Sequence, residues 1–173
     1  MGFDSETAFE SALIKCLVEE KGWKDGVIKY PTEKDLLDNW AKIIFENNRD
    51  IDRLGDFPMT DGEMAQIMGQ IAKLRTPLNL NGFINGGTVQ IIRDNENDTH
   101  NFKKTISLKI FDRNEIAAGR TRYQIAQQPK FKAKNSIYPN LRGDFCLLIN
   151  GMPVIHVELK KSNVPVSEAQ YQI

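Results

Sequence analysis

The sequence has little cysteine and little histidine, two of each among 173 residues. Cys16 and Cys146 have neither metal-ligand spacing nor the number needed for a disulfide framework. We expect both to be small buried apolar residues in a reducing compartment. No stretch resembles a signal peptide or a membrane span, which favours a cytoplasmic protein. A G-x-x-x-x-G-K-S/T loop is also missing, so ATP hydrolysis is not expected from these residues.

Net charge is also lacking, because 23 acidic and 23 basic side chains balance, but their distribution is uneven. Residues 1–63 hold 15 acidic and 8 basic side chains, a difference of −7. Later in the chain, seven basic residues stand against the single acid Glu115, a difference of +6: Arg113, Arg120, Arg122, Lys130, Lys132, Lys134 and Arg142. From Arg120 onward this basic stretch is a candidate DNA-contacting segment, with a solvated charged loop as the alternative.

What is present suits one globular domain over residues 1–173, because a 40% apolar content can fill a substantial core. Residues 5–80 read as helical, with caps at Ser5, Thr32 and Thr60 before apolar residues at helical spacing. The first helix is expected to bury a stripe made of Ala8, Phe9, Ala12, Leu13, Cys16 and Leu17. Residues 85–173 change to a period of two and hold the sheet and the catalytic core. The fold class is therefore α/β, with a mixed central sheet flanked by helices.

The segment GDFCLLINGMPVIHVELKK contains two apolar strands around an Asn-Gly turn. Alternate residues of a strand face opposite sides, so matching the two apolar sides pairs odd positions with odd. That register places Asp144 on the same face as Glu158 and Lys160. A strict two-residue turn would pair odd with even, so we predict a three-residue loop or a bulge.

These residue types suit phosphodiester hydrolysis with a hard divalent cation. Mg²⁺ uses one or two carboxylates together with waters, and Asp144 and Glu158 are the candidate ligands. Lys160 would position the attacking water and offset charge on phosphorus. A solvated strand end with three charged residues is the alternative. His156 shares this face, and we expect it to be a hydrogen-bonded sheet histidine.

Several strings resemble the N-terminal endonuclease domain of the R subunit of type I restriction enzymes, and together they span nearly all 173 residues. They are VIKYPTEKDLLDNWAKIIFENNRDIDRL, MTDGEMAQI, LRTPL, INGGTV, GRTRYQIAQQPKF and RGDFCLLINGMPVIHVELKKSNVPVSEAQYQI. The resemblance implies a restriction-endonuclease-like PD-(D/E)xK core. In that core Asp144, Glu158 and Lys160 are catalytic, although Gly143 stands where the motif has proline.

The resemblance implies two further site residues. Gln172 fits the start of a Gln-x-x-x-Tyr motif on the next helix, with Gln170 as its rival. The matching Tyr would lie three residues beyond Ile173, so the chain looks truncated at its C-terminal end. An acidic residue on the first helix often joins the metal site, and Glu10 fits that position, with Glu6 as its rival. An exposed helix carboxylate with no role is the alternative for Glu10.

The implied function is a Mg²⁺-dependent endonuclease that cuts double-stranded DNA in host defence, with Mn²⁺ as a possible substitute. Methylase and specificity subunits are the implied partners, and ATP serves only motor domains that this chain does not contain. A second hypothesis is a docking module that links the motor subunit to the methylase core without a catalytic site. Substitution of Asp144 and Glu158 separates the two, because only a nuclease would lose metal affinity and cleavage.

Overall fold

The computed structural model describes residues 5–111, 121–131 and 141–159, with only the backbone of 141 and 142. Contacts divide the chain into two compact units, Met1–Leu36 with Arg122–Ile173 and Leu37–Thr121. The elements in chain order are α1 Glu6–Glu20, β1 Val27–Lys29, α2 Glu33–Asn47, α3 Asp61–Ile71, α4 Pro77–Ile84, β2 Thr88–Ile92, β3 Thr105–Lys109, β4 Tyr123–Gln127, β5 Lys130–Phe131, β6 Leu141–Arg142, β7 Phe145–Ile149 and β8 Met152–Val157. That residues 1–173 form a single nuclease domain stays a prediction, because a division by contacts does not show whether the two units fold together.

The first unit contains a four-stranded sheet in the order β1-β4-β7-β8. β1 pairs with β4 in parallel and the other pairs are antiparallel, so the sheet is mixed. On one face Phe145 and Leu147 pack with Ile14 of α1, and on the other Leu148 packs with Leu36 at the start of α2. The predicted α/β class, a mixed central sheet flanked by helices, is confirmed. A PD-(D/E)xK core within it stays a prediction.

The predicted helix starts are confirmed by their capping contacts. The Ser5 hydroxyl accepts from the first turn of α1, and Thr60 forms a complete capping box with Glu63 at α3. At α2 the Asp35 carboxylate accepts from both the N–H and the hydroxyl of Thr32. Each contact joins residues three apart, which makes it readable from local sequence.

The predicted apolar stripe of α1 is partly wrong. Ala8 and Ala12 are exposed, whereas the most buried side chains of the helix are Glu10 and Ile14. Phe9, Leu13, Leu17 and Val18 are partly buried against the same cluster as Ile14. The inward face is therefore centred on a carboxylate, which apolar periodicity alone does not identify.

The second unit is built on the antiparallel pair β2 and β3, both read correctly from their period of two. α3 lies along β2, where the Gln66 side chain binds the N–H and the carbonyl of Ile92. The loop between the two strands starts with Arg93, which is fully buried with Glu63 and Asp98. Across the described ranges, no helix has both the length and the apolar character needed to span a bilayer.

Candidate metal centre

The hairpin of β7 and β8 has a tight turn and then a bulge. Asn150 and Gly151 both have positive φ, 50° and 84°, as a two-residue hairpin turn requires. That turn pairs odd with even positions, but the register shifts beyond it, so that Leu147 lies opposite Ile155 and Val154 is the extra residue. We predicted that either a longer loop or a bulge produces the odd-with-odd register, and the structure has the bulge.

The bulge determines which side chains share a face at the open end of the hairpin. The last pair, Phe145 with Val157, is odd with odd. Continued by one residue beyond the two strands, this register would set Asp144 opposite Glu158. Directly opposite residues point to the same side of a sheet. Asp144 Oδ2 accepts a hydrogen bond from the N–H of buried Leu159, which fixes the carboxylate against the end of β8. The side chain of Glu158 is only 13% exposed.

Glu10 is buried at 4% exposure, which rules out the alternative of an exposed helix carboxylate. Its Oε1 accepts from Gln127 Nε2 at 2.8 Å and from Gln128 Nε2 at 3.3 Å, and its Oε2 accepts from Gln128 Nε2 at 3.0 Å. Gln128 also donates its backbone N–H to the carbonyl of Asp144 at 2.7 Å. One residue therefore connects the carboxylate of Glu10 to the backbone of Asp144. The role of Glu10 as a ligand stays a prediction.

Gln128 is the residue that sequence reasoning missed. Its Oε1 is buried and has no hydrogen-bond partner within the described residues. The available signal was the pair of glutamines directly before Pro129, at the point where a strand must end. An amide oxygen of this kind belongs to the class of oxygen ligands that Mg²⁺ takes.

The basic residues fall into separate groups. Lys130 of β5 pairs with Arg142 of β6 immediately before Gly143 and Asp144, at the carboxylate end of the sheet. Arg122 lies at the opposite end, where its N–H donates to Asn150 Oδ1 beside the hairpin turn. Arg120, Lys132, Lys134, Lys160 and Gln172 lie outside the described residues, and the DNA-contacting and catalytic roles of the whole set stay predictions.

Within residues 5–111, 121–131 and 141–159 there is no group of three or more His, Cys, Asp or Glu side chains that could hold a metal ion. The described part supplies the pair Asp144 and Glu158, and two carboxylates with waters are sufficient for Mg²⁺. The donor set therefore fits such an ion. Cys146 adds no ligand, because burial raises the pKa of its thiol and its neighbours Ala126 and Leu148 are apolar.

The fold and this site define a class: a mixed α/β domain with two hairpin carboxylates at one end of its sheet. The sequence then places the chain within a family. Residues 4–173 match the family described as the type I restriction enzyme R protein N terminus, and the chain belongs to that family.

Two relatives show how much of a longer protein this chain represents. It is 28% identical over 177 residues to the type I restriction enzyme SsaAORF53P endonuclease subunit of Staphylococcus saprophyticus. It is 27% identical over 175 residues to the SauCOLORF180P endonuclease subunit of Staphylococcus aureus strain COL. Each alignment covers 100% of this chain and 16% of the relative, so the chain spans about a sixth of these curated relatives.

Proposed function

We propose that this chain is the nuclease part of a type I restriction enzyme R subunit, and that it hydrolyses double-stranded DNA with Mg²⁺ in defence against foreign DNA. The observation that carries the proposal is the bulge at Val154, because the register it sets, continued past Phe145 and Val157, would bring Asp144 opposite Glu158. Membership of the R protein family and the endonuclease names of the relatives support it. A strand without the extra residue would turn the two carboxylates to opposite faces.

The chain's own residues have distinct parts in this chemistry. Asp144 and Glu158 would hold the ion, and Leu159 keeps the Asp144 carboxylate in place through its N–H. When bound, Mg²⁺ supplies an activated water and stabilises charge on the phosphate. Lys160 would orient the attacking water and offset charge developing on the phosphate. Glu10 would act near the ion rather than within a group of three carboxylates, since the described residues form no such group. Gln172 would assist catalysis.

DNA would reach this end of the sheet over the Lys130 and Arg142 ribbon, with Arg120, Lys132 and Lys134 adding phosphate contacts. Arg122, at the opposite end of the sheet, would contact a phosphate away from the metal. Such contacts make binding fall steeply with salt. The methylase and specificity subunits supply sequence recognition, and the ATP-driven motor lies in the part of the subunit that this chain does not cover. The proposed compartment is the cytoplasm, where restriction and foreign DNA meet.

The test is cleavage of supercoiled plasmid by the full-length subunit assembled with its partners, with Mg²⁺ and then with Mn²⁺. We compare the unmodified protein with Asp144→Asn, Glu158→Gln and Lys160→Ala, and use Glu19→Gln, an exposed carboxylate of α1, as the matched control. Each site variant should lower the cleavage rate by about 100-fold or more, as the loss of one transition-state contact does. Undiminished cleavage in all three would support a docking module instead.

A further inference from the structure

Two consecutive glutamines bind the same carboxylate at the end of β4. Successive side chains of an extended strand point to opposite faces, so Gln127 and Gln128 would ordinarily diverge. Gln128 instead has φ +50°, a left-handed conformation that a glutamine rarely adopts. This turn of the backbone brings both side-chain amides to Glu10. Strained conformations persist where the surroundings require them, and they concentrate at functional sites.

Gln128 contacts both the helix carboxylate and the backbone at the start of the hairpin. Its Nε2 donates to both carboxylate oxygens of Glu10, and its backbone N–H donates to the Asp144 carbonyl. Among the described residues, no donor reaches its buried Oε1. A buried acceptor without a partner is unfavourable, and the adjacent carboxylates cannot satisfy it because ionised carboxylates only accept. The missing partner is therefore a donor such as water.

We propose that Gln128 is a positioning residue of the metal site, whose amide nitrogen holds Glu10 while its Oε1 accepts a hydrogen bond from a water of the metal's hydration shell. The inference rests on the proposed function, since it requires an ion beside Asp144. Mg²⁺ keeps several of its waters in protein sites, and these waters are donors. Residues that orient ligands in this way typically change metal affinity by about 10- to 100-fold when they are substituted.

The test compares two variants that each shorten a glutamine by one methylene, Gln128→Asn and Gln127→Asn, in the full-length subunit within its complex. Asparagine tolerates the left-handed conformation, so the backbone at 128 is not the limiting change. Both variants withdraw an amide from Glu10, which makes Gln127→Asn the matched control. Mn²⁺ affinity is titrated calorimetrically without DNA or ATP, with Asp144→Asn as the blank. Thermal unfolding of the metal-free protein and the Mn²⁺ concentration for half-maximal cleavage are measured alongside.

We expect both variants to lower the unfolding temperature to a similar extent. Gln128→Asn should weaken Mn²⁺ binding by about 10-fold or more and raise the half-maximal Mn²⁺ concentration by the same factor, with a smaller change for Gln127→Asn. If Gln128 only held Glu10 in place, the two variants would weaken Mn²⁺ binding to the same extent. Should Gln128→Asn fold poorly, Gln128→Gly replaces it, because glycine relieves the positive φ and removes the amide.

Equal weakening in the two glutamine variants, or unchanged Mn²⁺ affinity in Gln128→Asn and Gln128→Gly, overturns the inference while Asp144-dependent binding remains. A different result marks failure of the proposed function. In that case the unmodified protein itself shows no Mn²⁺ binding that Asp144→Asn removes, and both proposals fall together.

Discussion

The imidazole of His156 lies over Gly143, so that a Cβ at position 143 would collide with its Nε2. Position 143 therefore accommodates a side chain only if the imidazole moves. The same Nε2 is 4.0 Å from Glu158 Oε2. The glycine that replaces the proline of the resembling motif is therefore matched to a histidine on the opposite strand, next to the candidate ligands Asp144 and Glu158.

The first prediction concerns this pair. Gly143→Ala should destabilise the protein by about 1–3 kcal/mol, because the new methyl group displaces the imidazole. His156→Ala removes the obstacle, so the double variant should be more stable than the sum of the two single effects predicts. Urea unfolding of the four proteins measures the coupling. Strictly additive effects would show that the two positions are independent.

The second prediction separates two roles of Asp144. Because Oδ2 accepts from the N–H of buried Leu159, Asp144→Ala leaves that amide without an acceptor and should cost about 1–3 kcal/mol of unfolding free energy. Asp144→Asn keeps an oxygen acceptor and should cost clearly less, while both variants lose metal binding. Thermal unfolding together with Mn²⁺ titration distinguishes the effects. If alanine and asparagine proved equally stable, the Leu159 contact would have no importance for stability.

The third prediction concerns the second unit. Arg93 binds Glu63 at 2.6 Å and Asp98 at 2.9 Å, and the three side chains are essentially inaccessible to solvent. Arg93→Met should lower the unfolding free energy by about 3–5 kcal/mol, because it leaves buried carboxylates without their cation.

The matched control for that change is an arginine whose ion pair is exposed. Arg49 pairs with Asp56, and their side chains are 56% and 83% exposed. Arg49→Met should change the unfolding free energy by less than about 1 kcal/mol, since solvent screens the interaction. Chemical denaturation of both variants provides the comparison, and similar losses would contradict the role assigned to Arg93.

The fourth prediction is a dependence of stability on pH. Burial acts to raise the pKa of Asp98, but hydrogen bonds from Arg93 and Asn101 outweigh it and hold that pKa below its usual value. A carboxyl group with a lowered folded-state pKa contributes stability in full above its unfolded pKa of about 3.9. The contribution is lost as the pH falls through the folded-state pKa. The urea concentration at the unfolding midpoint should therefore decrease as the pH is lowered below about 4. Asp98→Asn should show a smaller decrease over the same pH range.

Local chemistry made much of this fold predictable. The cap at Thr60 depends on Glu63, three residues away, and the strands of residues 85–173 follow from their alternation. The odd-with-odd pairing of Phe145 with Val157 followed from burying the two apolar sides together, although the choice between a loop and a bulge was left open. Only the structure shows that the turn is tight and that Val154 is the inserted residue.

Non-local contacts account for what the sequence did not reveal. Glu10 is buried because Gln127 and Gln128, more than a hundred residues later, turn their amides towards it. Nothing within α1 signals those partners, so apolar spacing wrongly added Ala8 and Ala12 to the inward face and left out Glu10. The parallel pairing of β1 with β4 also joins segments that are far apart in sequence, such as Val27 and Ile125. The three-residue strand β1 is too short to show a periodic pattern.

The fifth prediction uses Cys146 as a reporter of the hairpin. Cys146 is buried opposite His156, and burial raises the pKa of its thiol, whereas Cys16 on α1 is only partly buried. In a Cys16→Ser background, Cys146 should react with a thiol reagent at least about 10-fold more slowly in native protein than in urea, because reaction requires local opening. Asp144→Ala should accelerate the native reaction by releasing Leu159, and Asp144→Asn should not. Equal rates in all three proteins would show that this end of the hairpin does not control access to the thiol.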